Sequence, residues 1–93
     1  MVRRLRKMPY AQACVKDYSD IGQDMLVLQS YQTDVLIVGE GRMSCTGLYS
    51  MTTRKHISAF LWEYFPYITF QMVKQIAGTD KEIDLFSGEI VSV

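Results

Sequence analysis

The sequence predicts an α+β domain: an antiparallel β-meander of three to four strands, with one long and one short helix packed on one face. Three observations predict it. From Met25 to Tyr49 short apolar and alternating blocks are separated by glycine and polar turns. From Ser50 to Phe65 the apolar residues return at intervals of three and four, and Pro66 and Gly78 punctuate the stretch beyond Phe65. The chain has 93 residues, so dividing it would leave neither half enough surface to bury, and 1–93 reads as one domain with a basic arm (1–24) and an α+β core (25–93).

The arm has two readings. Pro9 could open a short helix over Tyr10–Lys16, with Ala11, Ala13 and Cys14 as small packing residues. Equally, Tyr18-Ser19-Asp20 and Gly22-Gln23-Asp24 are turn chemistry, and the stretch would then be an irregular arm laid over the core.

The core reads more firmly. Met25 to Ser30 alternates as a strand, Gln32-Thr33-Asp34 offers a turn, and Val35-Leu36-Ile37-Val38 is the continuous β-branched run of a buried central strand. Gly39-Glu40-Gly41 suits a tight hairpin with positive φ at one or both glycines. Met43 to Tyr49 is a third, more polar strand with a bend at Gly47. Thr52 or Ser50 caps the long helix, whose stripe is Ile57, Phe60, Leu61, Tyr64 and Phe65, with Trp62 beside it. Pro66 ends it. Thr69 caps a second helix over Gln71–Ala77 that stops at Gly78, while Tyr67–Phe70 reads as strand or helix. Ile83, Leu85, Ile90 and Val91 make a last strand or hairpin that closes the sheet edge.

The net charge is zero but unevenly spread. Arg3, Arg4, Arg6, Lys7 and Lys16 give the first sixteen residues five positive charges and no negative one, and the rest carries five basic and ten acidic groups. Such an arm binds nucleic acid or an acidic partner, or packs against its own acidic body. Nothing spans a membrane, no signal peptide is read, and two distant cysteines, Cys14 and Cys45, are expected as free thiols in a reducing compartment, the cytoplasm.

No constellation of residues nominates catalysis. His56 is the single histidine and lacks an evident nucleophile or orienting partner, so its ring is expected at the edge of the stripe, bonded to a hydroxyl or carbonyl. Cysteines and histidine at 14, 45 and 56 lack paired metal-ligand spacing, and no cofactor motif is present. The helix start, with Thr52, Thr53, Arg54, Lys55 and His56, is the expected functional surface, because exposed amides and basic side chains attract anions there. Trp62, Phe65, Pro66 and Tyr67 form either a partner patch, a homodimer seam or a cluster capping the core.

Ser30-Tyr31-x-Thr33 followed by Tyr49-Ser50-x-Thr52-Thr53-x-x-His56-Ile57-x-x-Phe60-Leu61 resembles a family of small, functionally uncharacterised domains encoded by bacteriophages and by bacteria that carry them. The resemblance covers Leu28 to Leu61 and implies a phage or mobile-element source and a soluble α+β domain, but no activity. The expected function is a non-enzymatic binding protein, an accessory factor engaging a host protein in the bacterial cytoplasm; an inhibitor of a host defence nuclease is its sharper form. The alternative is a nucleic-acid-binding module using Arg3, Arg4, Arg6 and Lys7 with Arg54 and Lys55. The expected partner-binding residues are therefore these six with Thr52, Thr53, His56, Trp62 and Tyr67.

Overall fold

The computed structural model describes residues 1–93 and has the expected α+β class, but with seven strands instead of three or four. In chain order these are β1 (Val2–Arg3), β2 (Ala13–Asp17), β3 (Met25–Ser30), β4 (Thr33–Gly39), β5 (Arg42–Cys45), β6 (Lys81–Asp84) and β7 (Ile90–Ser92). They form one antiparallel sheet in the order β1 to β7, each strand beside its neighbours in the chain. The helices α1 (Met51–Tyr64) and α2 (Phe70–Ile76) are an excursion between β5 and β6.

Two strands come from the arm, where the sequence suggested a helix or irregular chain. Val15 in β2 is fully buried and pairs with Leu28 of β3, while Lys16 pairs with Val27 on the other face. Leu5 follows β1 and is also fully buried. The arm is anchored by an apolar residue in a basic run; one of its charges is met by the body, where Lys16 pairs with Asp34 at 2.7 Å, and others are met within the arm itself. Arg3 pairs with Asp17 at 3.3 Å, the terminal ammonium lies 3.1 Å from Asp20, and the Arg6 backbone N–H donates to Glu63 Oε1 at 2.9 Å.

Register follows from the turns. Tyr31-Gln32 joins β3 to β4, with Tyr31 at φ 55°, and a shift beside Leu28/Gln29 makes Val35 an extra residue on β4. Glu40-Gly41 joins β4 to β5 with φ 53° and 76°, so the positive-φ pair is the glutamate and the second glycine. β5 ends at Cys45, short of the expected Tyr49, because Gly47 to Tyr49 turn away toward α1.

The core lies between the helices and one sheet face. Leu28, Leu36, Val38, Met43, Cys45 and Ile83 meet Ile57, Phe60, Leu61, Val73 and Ile76, with Leu5 and Val15 closing the arm side. Buried side chains of this size are each worth about 1.5–3 kcal/mol relative to exposure. Ser50, not Thr52, caps α1: its hydroxyl accepts the Thr53 N–H at 3.1 Å. Pro66 follows the end of α1, as expected. Thr69 caps α2, which ends before Gly78 at φ 71°. The opposite sheet face carries Lys16, Val27, Ile37 and Ser44 in register, and Val27 is buried there outside the core cluster. Both cysteines are free thiols.

Candidate functional site: two faces of one helix

α1 separates the polar residues of its start into two groups. Thr53 and His56 share the inward stripe with Ile57, Phe60 and Leu61, and are 3 % and 1 % exposed. Met51, Thr52, Lys55, Ser58 and Trp62 fall on the outer side with half-buried Arg54. The five residues Thr52 to His56 therefore do not form one anion-binding surface. Two of them are structural.

The inward group is a chain of hydroxyls. Ser50 Oγ donates to Thr53 Oγ1 at 3.2 Å, Thr53 Oγ1 lies 3.0 Å from Ser30 Oγ, and Ser30 Oγ lies 2.8 Å from His56 Nδ1. Ser50 donates to Thr53, and the other two contacts are met whether Ser30 donates to an unprotonated Nδ1 or accepts from an Nδ1–H and donates to Thr53. Burial holds the His56 pKa below its ordinary value, which favours the neutral ring. The Tyr31 ring covers the imidazole, its centroid 5.8 Å away. The Ser30–His56 pair has the elements of a nucleophile and base, but Ser30 is 2 % exposed and no surface recess is lined by Ser30, Thr53 or His56. His56 thus sits at the stripe, bonded to a hydroxyl, as the sequence suggested.

The outer group does form a surface. Lys7 and Met8 of the arm approach Met51, Arg54, Lys55, Ala59 of α1 and Phe70 of α2 around a groove of about 580 Å³. Three cations rim it, no carboxylate lines it, and none of the ion pairs in the molecule includes Lys7, Arg54 or Lys55. Ser58 and Phe70 also border an adjoining recess with Trp62, Pro66 and Ile68. The Lys7 ammonium sits 4.2 Å above the half-exposed Trp62 ring, a cation–π contact that fixes the arm beside the helix. From Met51 to Trp62 the outer stripe is about 16 Å long at the helical rise per residue.

The other expected residues lie elsewhere. Arg3 and Arg4 line a recess of about 600 Å³ with Tyr10 and Tyr31, and Arg4 Nη1 donates to the Pro9 carbonyl at 3.0 Å. Arg6 is exposed outside the groove lining. Tyr67 parts from Trp62: it lines a third recess, about 260 Å³, with Phe65, Leu85 and Phe86. Sequence reasoning missed Met8, Met51 and Phe70, the apolar lining that joins the two basic segments. Met51 carried a signal, an apolar residue on the polar side of α1. No three histidine, cysteine or acidic residues gather as a metal site, and no helix is long and apolar enough to cross a membrane.

Residues 3–84 match a family of unknown function, DUF8033. No curated protein and no solved structure matches the chain.

Proposed function

We propose that this chain, which belongs to the family of unknown function DUF8033, is a non-enzymatic binding protein that holds an acidic, amphipathic segment of a protein partner along the outer face of α1. One observation carries the reading: Lys7, Arg54 and Lys55, from two distant parts of the chain, rim an apolar-lined groove with no carboxylate of its own. An acidic segment with one apolar side supplies both missing complements, and aromatic and methionine side chains such as Trp62, Met8 and Met51 suit protein contacts. On the resemblance to phage-encoded domains, the expected partner is a host protein, with a defence nuclease as the sharper candidate.

A photo-crosslinking amino acid in place of exposed Ser58, at the middle of the groove, tests the reading in lysate of the source cell. A discrete protein adduct is expected that is absent when the crosslinker replaces Ser44 on the open sheet face, and lost when Arg54 and Lys55 are both changed to Glu. Equal labelling from both positions, or none from Ser58, overturns it.

A second reading, single-stranded nucleic acid, is favoured by the recess of Arg3, Arg4, Tyr10 and Tyr31, where two exposed rings could stack bases beside guanidinium groups. It requires binding of mixed oligonucleotides at low salt that weakens steeply as salt rises. No binding at low salt ends it.

A further inference from the structure

The chain carries a surface of opposite character to its basic groove. At the far end of the sheet, Leu26, Val38, Phe65, Tyr67, Leu85 and Phe86 line the recess of about 260 Å³. Its only charged lining groups are Asp24 and Glu40, and neither takes part in an ion pair. Phe86 is 92 % exposed and Tyr67 58 % exposed, and among the aromatic rings only Tyr10 stands as open as Phe86. The Phe86 ring lies against the Gly41 backbone, where a Cβ would come within 2.6 Å of it, so the β4–β5 turn backs the ring on one side and solvent meets the other.

The two surfaces share no lining residue, so one molecule leaves both unfilled. Their chemistry is reciprocal: three cations around Met8, Met51 and Phe70 on one, two free carboxylates around Phe86 and Tyr67 on the other. The formal charge of the whole chain is zero, so copies meet without net repulsion.

We propose that a second copy of this chain is a resident occupant of the groove: its acidic Phe86 surface docks on the Lys7–Arg54–Lys55 surface of its neighbour, head to tail. This rests on the groove being a protein-docking surface. It adds that the protein holds its own groove closed at high concentration and releases it on dilution or when a better acidic segment competes. The contact joins two different surfaces, so a docked pair still presents one free groove, on one copy, and one free Phe86 surface, on the other, and growth beyond the dimer follows concentration. Recesses of this size make a contact smaller than a standard stable interface, which sets the expected association between about 10 µM and about 1 mM.

Sedimentation velocity on the full chain across that range tests the proposal through a complementation experiment. Wild type is expected to show a mean mass that rises with concentration at low salt and rises much less at high salt. Phe86→Ser, which has an intact groove, and the Lys7→Glu/Arg54→Glu double variant, which has an intact Phe86 surface, are each expected to stay monomeric. Mixed together, they retain one good surface apiece and are expected to form a one-to-one dimer and nothing larger. A mixture that stays monomeric while wild type associates overturns the proposal, as does wild type that is monomeric throughout, or a Phe86→Ser variant that associates like wild type. Phe86 is almost wholly exposed, so its replacement leaves the fold intact, which thermal unfolding verifies. The crosslink from Ser58 to another protein is retained in Phe86→Ser, so loss of self-association and loss of partner binding are separate results.

Discussion

Ser30 Oγ at the end of β3 lies 2.8 Å from His56 Nδ1 in α1, across 26 residues of chain, and both groups are buried. This pair fastens the helix to the sheet by a polar contact where a core of this kind would ordinarily use only apolar ones. Ser30→Ala leaves an imidazole nitrogen and the Thr53 hydroxyl without their shared partner, which costs about 1–3 kcal/mol. At about 4–8 °C per kcal/mol for a domain this short, the melting temperature is expected to fall by about 5–20 °C. A double-mutant cycle with His56→Phe is expected to show coupling of at least about 0.5 kcal/mol, and strict additivity sinks the assignment.

Stability is expected to fall in acid for two reasons with different onsets. The His56 pKa is lowered by burial, so the unfolded chain takes up a proton first. Stability declines as pH drops below the ordinary value of 6.5 and levels once the folded state is protonated as well. Asp17 and Asp84 are shifted down chiefly by hydrogen bonds from Ser19 and from the Ser87 and Phe86 amides. Their contribution is present above 3.8 and is lost as pH falls below it toward their lowered values. Denaturant titrations of wild type and His56→Gln separate the two: the variant should lose the upper decline and keep the lower one.

Ser50 and Thr52 both offered a cap in the sequence, and only Ser50 accepts the Thr53 N–H. Ser50→Ala is expected to cost about 1 kcal/mol, while Thr52→Ala at an exposed position should stay within about 0.5 kcal/mol of wild type. Urea midpoints at constant m-value decide between them.

Glu40 holds φ 53° in a turn whose next residue is Gly41 at φ 76°. Asparagine tolerates that left-handed backbone better than glutamate, so Glu40→Asn is expected to stabilise the hairpin by about 0.5–1 kcal/mol. The same change removes one of the two carboxylates beside Phe86 and should weaken self-association at low salt. A variant that is both less stable and equally associated contradicts both arguments.

The local elements were legible where one stretch of sequence settles them. Ile57, Phe60 and Leu61 recur at helical spacing and Pro66 follows the last turn, so α1 could be read directly; α2 was legible from its Thr69 cap one residue out of place, and Tyr67–Thr69, open in the sequence between strand and helix, is neither. β2 could not. Ala13 to Asp17 is a weak alternation that becomes a strand only because Val15 pairs with Leu28, and pairing between distant residues leaves little mark in either segment. His56 was placed correctly at the stripe edge, but nothing in the sequence named Ser30 as its partner. The groove was half visible: the basic residues were evident, whereas their meeting depends on Leu5 anchoring the arm so that Lys7 comes to rest over Trp62.

The seven strands stand in the sheet in the order in which they occur in the chain. Drawn apart by its two ends, such a sheet would not shear. Its outer strands would peel away one after another, each breaking a single ladder, and the force would stay low until it reached β3 and β4. That pair carries the longest ladder, and Ser30 at the end of β3 is the point where α1 is fastened. The mechanical centre of the molecule is thus the hairpin from Met25 to Gly39. The groove has one wall on α1, fastened to that hairpin, and one on the arm, which would be among the first parts to come away.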